Sequence, residues 1–111
     1  MEIWIHTHDG SLAFDLLGKS QARTGDIIEL DQGVSLTYEG TCMREALGFP
    51  EIVMLSASIL TGIAAGVLAN WLWEKLRDRN ITQIEIDRTT VEFEEGTIKR
   101  VIYEKVTKRE R

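Results

Sequence analysis

The chain has 111 residues, of which 43% are hydrophobic and 28% charged, and it contains one proline and nine glycines. This length fits one domain, and the composition excludes the fibrous and low-complexity classes. The formal net charge of −5 argues against nucleic-acid binding, because neutralising phosphates requires clustered cations. A single cysteine and an N-terminus without a cationic leader predict a cytoplasmic protein without disulfides.

Residues 1–40 predict two β-hairpins, the first of which turns at Asp9-Gly10. This dipeptide suits a type I′ turn, which needs positive φ at both central positions. Pairing across the turn gathers apolar side chains on one face of the sheet, namely Ile3, Ile5, Leu12, Phe14 and Leu16. Residues 11–23 also suit a helix, because Leu12, Leu16 and Leu17 have helical spacing. The sequence pattern is therefore compatible with either a strand or a helix over residues 11–23.

The second hairpin is predicted between residues 26–30 and 34–38, around the turn residues Asp31-Gln32-Gly33. Apolar and polar residues alternate in both strands, as a half-buried sheet requires. Residues 40–50 are interpreted as a connector with one helical turn at 43–47. Pro50 suits the first position of a following helix, because its missing N–H would have no partner there.

No residue from Ile52 to Trp73 is charged, and we predict one long central helix over 51–79. At 1.5 Å per residue its length would be roughly 42 Å, which exceeds the width of a small domain. The apolar surface of such a helix must be buried against the rest of the chain, against a second copy or in a bilayer. We favour shelter by polypeptide, because a membrane span would separate two flanking pieces that are each too small to bury an apolar face.

The alternative is a small single-span protein of the inner membrane, with its C-terminal segment in the cytoplasm. Trp71 and Trp73 resemble an interfacial aromatic belt, and cations follow at Lys75, Arg77 and Arg79. The serines, glycines and asparagine within the run oppose insertion, because polar groups are costly in the hydrocarbon core.

A strip of small residues on the predicted helix is the candidate surface for self-association. It comprises Ser58, Gly62, Ala65, Gly66 and Ala69. Small side chains let another helix approach closely, and the Gly-x-x-x-Gly spacing is typical of such contacts. We therefore expect a homo-oligomer. The motif is compatible with both the soluble and the membrane interpretation and does not decide between them.

The C-terminal residues 81–108 predict a β-hairpin followed by an amphipathic helix. Apolar and acidic residues alternate over 82–87 and 91–94, with a turn at 88–90. The helix is expected to begin at the cap residue Thr97 and to pack on the apolar face of the hairpin. The outward face carries four carboxylates, Glu85, Asp87, Glu92 and Glu94. Neighbouring like charges repel unless a cation offsets them, and Arg88, Lys99 and Arg100 are candidates for this. The face is therefore either solvated surface or a docking face for a basic protein partner, and the binding hypothesis adopts the second interpretation.

Two features have the residue types of metal or catalytic sites. His6 and His8 would share a strand face, with Asp9 and Asp15 nearby, but a metal-dependent hydrolase needs further ligands that the chain does not supply. Cys42 has no histidine near it in sequence, and a catalytic thiolate needs an activating base. We therefore predict no metal, no cofactor and no enzymatic activity.

From Pro50 onward, the sequence predicts a small-residue helix (GVLANWLWEKLRDR), a short hairpin (ITQIEIDRTTVEFEEG) and an amphipathic helix (TIKRVIYEKV). This order of elements resembles that of small bacterial proteins encoded beside conflict or defence effectors, the effector-associated constant components. It implies a non-enzymatic adaptor or regulator, although two N-terminal hairpins would depart from that layout. The sequence thus predicts a single α+β domain over 1–111 that acts by binding protein.

Overall fold

The computed structural model describes residues 1–42, 50–59 and 64–109. Within these ranges the chain forms an antiparallel sheet with strand order β2-β3-β4-β1-β5-β6 and helices packed on it. The elements are β1 (Glu2–Thr7), α1 (Leu12–Leu17), β2 (Ile27–Glu29), a 3-10 turn (Asp31–Gly33), β3 (Ser35–Cys42), β4 (Glu51–Ser58), α2 (Ala64–Leu76), β5 (Ile81–Ile86), β6 (Thr89–Val91) and α3 (Glu95–Arg109). The α+β class predicted from the sequence is confirmed.

One hydrophobic cluster joins the sheet to the helices. In β1, Ile3 and Ile5 are fully buried in this cluster, whereas Trp4 and His6 alternate toward the opposite face of the sheet. The helices contribute large aliphatic side chains, including Leu12, Leu68, Leu72, Ile98 and Ile102. Each side chain of this kind stabilises the fold by about 1.5–3 kcal/mol when it is fully buried. One face of the sheet is therefore covered by the helices.

The β-hairpin predicted across Asp9-Gly10 is wrong. β1 ends at Thr7 because both of its edges are already paired with distant strands, β4 and β5. The Asp9 carboxylate accepts hydrogen bonds from the backbone N–H and the hydroxyl of Ser11, a turn that leads into a helix. Of the two interpretations of residues 11–23, the helix is confirmed over Leu12–Leu17, and it ends at Gly18 with a left-handed φ of 66°.

The second hairpin is confirmed. Ile28 pairs with Leu36 across β2 and β3, and the 3-10 turn joins the two strands. Gln32 and Gly33 have φ values of 62° and 76° in this turn, so the glycine occupies a conformation that suits it. The helical turn predicted at 43–47 lies outside the described residues.

The single long helix predicted over 51–79 is wrong. Glu51–Ser58 form β4, which lies between β3 and β1 near the centre of the sheet, and α2 begins at Ala64. An uncharged run suits both a buried helix and a strand covered on both faces, so composition alone did not separate them. Among the described residues, none of the helices combines the length and the apolar character of a membrane span.

The C-terminal hairpin and amphipathic helix are confirmed with shifted boundaries. Ile84 pairs with Val91, and the turn lies at Asp87-Arg88, where both residues have positive φ. α3 begins at Glu95, earlier than the predicted cap, and packs its apolar side against α2 and β6. The rings of Trp73 and Phe93 lie beside this contact, 5.3 Å apart between centroids.

Candidate interaction face of the sheet

The face of the sheet opposite the helices is the candidate site, and we call it the open face. Register and strand alternation place on it Ile27 and Glu29 of β2, Ser35, Thr37 and Cys42 of β3, Ile52, Met54, Ser56 and Ser58 of β4, Glu2, Trp4 and His6 of β1, Gln83 and Glu85 of β5, and Thr90 of β6. None of these side chains belongs to the cluster that joins the sheet to the helices. The packing of the helices therefore does not account for their residue types.

Trp4 stands at the centre of the open face. It lies opposite Met54 on β4 and opposite Glu85 on β5, and Glu85 lies opposite Thr90 on β6. Directly opposed residues have Cβ atoms about 4.5–5.5 Å apart, so this row crosses four strands as a continuous strip. Trp4 and Met54 are half-buried. An indole beside a thioether forms an adaptable apolar surface of the type enriched at protein interfaces.

β4 contributes no charged side chain to the open face, and Glu39, at the irregularity between Tyr38 and Gly40, is the one charged residue of β3, although 28% of the residues in the chain are charged. A solvated strand face normally carries polar and charged residues, which also discourage pairing with other molecules. After Glu51, β4 is uncharged on both of its faces. This pattern is typical of a strand that is covered on both sides.

The charged residues on the β1 and β5 side of the open face have partners within the chain. His6 Nε2 lies 2.7 Å from Glu85 Oε2, with 13% and 19% of the two side chains exposed. A ring N–H donates to a carboxylate at this distance, which is a charge-assisted hydrogen bond. Arg88 Nε lies 3.7 Å from Glu2 Oε2. These contacts offset the charges that β1 and β5 contribute to the open face.

The open face also places a cysteine and a histidine in one cross-strand row. Cys42 lies opposite Ile52, and Ile52 lies opposite His6. Adjacent strands are about 4.7–4.9 Å apart, so Cys42 and His6 are separated by roughly 9–10 Å, with Ile52 between them. That separation exceeds hydrogen-bond distance, and the two residues therefore do not form a nucleophile–base pair.

The four carboxylates predicted to share one outward face are dispersed. Glu85 lies on the open face, whereas Asp87 occupies the hairpin turn, where it accepts a hydrogen bond from the backbone N–H of Glu2 at 2.8 Å. Glu92 and Glu94 lie beyond the end of β6, so the strand alternation that predicted a common face does not reach them. A common face for the four carboxylates, and the binding of a basic partner by them, stay predictions.

The small-residue strip predicted on the central helix is also divided. Ser58 lies at the end of β4 rather than on a helix, and Gly62 is outside the described residues. Ala65 and Ala69 are 2% and 3% exposed in the core of the chain, and Gly66 is half-buried on α2. Close contact through small residues requires that they face the partner. Two of the described helix positions of this strip instead face the chain's own core.

A polar cluster closes the end of β1. Thr7 is fully buried, and its hydroxyl donates to the carbonyl of Asn80 at 2.8 Å and accepts from the backbone N–H of Asp9 at 2.9 Å. The Arg79 guanidinium lies 2.7 Å from the Asp9 carboxylate and 2.6 Å from that of Asp15. The hydrogen bonds that the guanidinium donates to Asp9 and Asp15 raise the pKa of Arg79. The cluster joins β1, α1 and the connection between α2 and β5.

The residues that were considered as metal ligands are distributed over this region without forming a common site. Asp9 and Asp15 are bound by Arg79, His6 lies on the open face, and His8 is exposed beyond the end of β1. In the part of the chain that the structure describes, no three histidine, cysteine or acidic side chains are grouped for a metal ion.

Sequence reasoning missed the open face, although a signal for it was present. Residues 52–58 lack charge at every position, which we assigned to a helix rather than to a strand covered on both sides. Trp4 gave a second signal, because a tryptophan on the polar side of an alternating strand has no role in the core. No protein family, curated protein or solved structure matches the chain.

Proposed function

We propose that this chain is a non-enzymatic protein-interaction component that pairs with a second copy of itself through the open face. The observation that carries the proposal is the uncharged row that β4 contributes to that face, in which Met54 lies opposite Trp4 of β1. Tryptophans at the centre of an interface commonly contribute about 2 kcal/mol or more to binding.

The charge distribution favours a second copy as the occupant. Two chains with a net charge of −5 repel each other unless the surfaces that meet are neutral. The centre of the open face, around Trp4 and Met54, meets this condition, since Glu85 is hydrogen-bonded to His6 and the β4 positions are uncharged. Pairing about a two-fold axis places the same neutral strip against itself. Stacked sheets pack about 10 Å apart, a space that large side chains such as Trp4 fill.

The ion pairs of the acidic and basic side chains within the chain support a binding role rather than catalysis. Asp9 and Asp15 are held by Arg79, and Glu85 is held by His6, so each of these groups serves to fix one segment against another. The resemblance to effector-associated constant components, which are inferred to be adaptors or regulators, points to the same role.

Sedimentation equilibrium of the wild type and of a Trp4→Thr/Met54→Thr double variant tests the proposal. We expect a dimer for the wild type and at least about 30-fold weaker association for the double variant, which corresponds to the loss of about 2 kcal/mol or more. Threonine suits a strand, and neither position lies in the core, so circular dichroism should show an unchanged fold.

Tyr103→Ala is the matched control, because Tyr103 is 59% exposed on α3 and its removal also deletes a surface aromatic ring. This variant should associate like the wild type. A wild-type chain that remains monomeric at high micromolar concentration contradicts the proposal. A dimer that the double variant leaves intact places the contact on another surface.

A further inference from the structure

A histidine and an acid stand beside the aromatic centre of the open face. Glu85 lies directly opposite Trp4, and His6 follows Trp4 by two positions on the same side of β1. His6 Nε2 lies 2.7 Å from Glu85 Oε2, and 13% and 19% of the two side chains are exposed. A second copy that covers Trp4 and Met54 also covers this pair, because directly opposed residues have Cβ atoms about 4.5–5.5 Å apart.

The strands on either side of β1 bring no other charge to His6 on this face. β4 presents Ile52 opposite His6, and it carries no charged residue after Glu51. β5 presents Gln83 opposite His6, and Glu85 is the one ionisable residue of β5. The imidazole therefore has the Glu85 carboxylate as its charged neighbour on the two adjacent strands.

The remaining titratable and charged groups near β1 or on the open face lie farther from His6 or are bound by other residues. At the two ends of β1, the Asp9 carboxylate is bound by Arg79, and the α-amino group of Met1 donates to the carbonyl of Ala57. Strands that are not adjacent are about 9–10 Å apart or more. The other groups are Glu2, which lies 3.7 Å from Arg88, Cys42 and Glu39 on β3, and Glu29 on β2. His6 and Glu85 therefore set the charge beside Trp4.

The charge of this pair depends on whether the imidazole is protonated. Histidine side chains change charge between about pH 5 and pH 8, a range in which ordinary carboxylates stay ionised. A protonated His6 cancels the charge of Glu85, so the pair as a whole is neutral. A neutral His6 still donates its N–H to Glu85, but each chain then brings one net negative charge to the face. Covering a charge that lacks an opposite partner is costly, and two copies cover two such charges.

We propose that protonation of His6 regulates the pairing of two copies through the open face. This inference rests on the proposed function. The protonated pair of His6 and Glu85 favours association, and the unprotonated pair opposes it, because the dimer covers neutral pairs in the first case and two net charges in the second. Dimer formation therefore takes up protons, and association strengthens as the pH falls from about 8 to about 5.5.

Sedimentation equilibrium of the full chain at about pH 5.5 and about pH 8, at constant ionic strength, tests the proposal. We expect the dissociation constant of the wild-type dimer to be at least about tenfold lower at the acidic pH. Glu85→Gln should reverse this direction, because glutamine is neutral at both pH values and the protonated ring then lacks its counter-charge. A general decrease in repulsion between acidic chains would instead act in the same direction in the wild type and in this variant.

The chain has two histidines, and the second one supplies a matched control. His6→Gln should give dissociation constants that agree within about twofold at the two pH values, because the group that titrates is removed. His8 is exposed beyond the end of β1, and His8→Gln should keep the pH dependence of the wild type. Circular dichroism at both pH values checks that each variant keeps the fold.

Three results would overturn the regulation and leave the proposed dimer intact. They are a wild-type dimer with the same dissociation constant at both pH values, a Glu85→Gln dimer that also strengthens in acid, and loss of the pH dependence in His8→Gln but not in His6→Gln. A wild-type chain that stays monomeric at high micromolar concentration at both pH values rejects the proposed function and this inference with it. The two failures are therefore distinguishable.

Discussion

Arg79 Nη1 lies 2.7 Å from Asp9 Oδ2, a contact between residues 70 positions apart in the chain. Nη2 of the same guanidinium lies 2.6 Å from Asp15 on α1. One side chain therefore ties the end of β1, the helix that follows it and the α2–β5 connection together. Charge-assisted hydrogen bonds of this length are roughly twice as strong as neutral ones. The contact fixes the N-terminal elements against a distant part of the fold.

Asp9→Asn tests this contact through its pH dependence. Hydrogen bonds from Ser11, and then the Arg79 guanidinium, hold the pKa of Asp9 below its ordinary value of 3.8. A lowered pKa in the folded state stabilises the fold at pH values above 3.8, and this contribution is lost as the pH falls toward the folded-state pKa. We expect Asp9→Asn to lower the free energy of unfolding by about 1 kcal/mol at neutral pH, and by less in acid.

Urea unfolding over this pH range measures the effect, with Asp78→Asn as control. Asp78 is 89% exposed and lies 3.7 Å from Arg77, so its neutralisation should change the free energy of unfolding by less than about 0.5 kcal/mol. If wild type and Asp9→Asn lose stability in parallel as the pH falls, the Asp9 contacts do not stabilise the fold.

Thr7→Val should destabilise the protein although valine has nearly the same shape. The buried Thr7 hydroxyl serves both the Asn80 carbonyl and the Asp9 N–H, and valine leaves both groups without this partner. We expect a loss of about 1–3 kcal/mol in thermal or urea unfolding. Thr7→Ser keeps the hydroxyl and should lose less than valine does. The reverse order would show that the methyl group matters more than the hydrogen bonds.

Arg88→Gly should stabilise the C-terminal hairpin. Asp87 and Arg88 have φ values of 49° and 66°, a conformation that glycine adopts without the strain of a Cβ atom. We expect a gain of about 0.5–1 kcal/mol, reduced slightly by loss of the exposed contact between Arg88 and Glu2. Thr90→Gly, within β6, should lower stability instead. A lower melting temperature for Arg88→Gly would contradict the observed turn.

Alanine substitutions at two successive positions of β4 should have unequal effects. Leu55 is 1% exposed in the core, so Leu55→Ala should lower the free energy of unfolding by about 2–5 kcal/mol. Met54 points to the open face, and Met54→Ala should cost less than about 1 kcal/mol in a chain diluted below its dimer dissociation constant. Equal losses at both positions would show that the open face belongs to the core of one chain.

The local pattern by itself determined three parts of the fold. The hairpin at β2 and β3, the hairpin at β5 and β6 and the amphipathic α3 each carry alternation or helical spacing beside suitable turn residues. In α3, for example, Ile98 and Ile102 are four positions apart and both are buried. These elements were predictable because neighbours in sequence supply the contacts that define them.

Only the tertiary structure decided what β1 and residues 51–58 form. Asp9-Gly10 suits a hairpin, but β4 and β5 occupy both edges of β1, so the next segment packs as a helix instead. The run from Ile52 to Ser58 fits a helix by composition, yet it becomes a central strand because β1 and β3 satisfy its backbone hydrogen bonds. A strand that is uncharged on both faces shows no alternation of apolar and charged residues, so its sequence does not reveal that it pairs with distant segments. The open face could not be predicted from the sequence for the same reason.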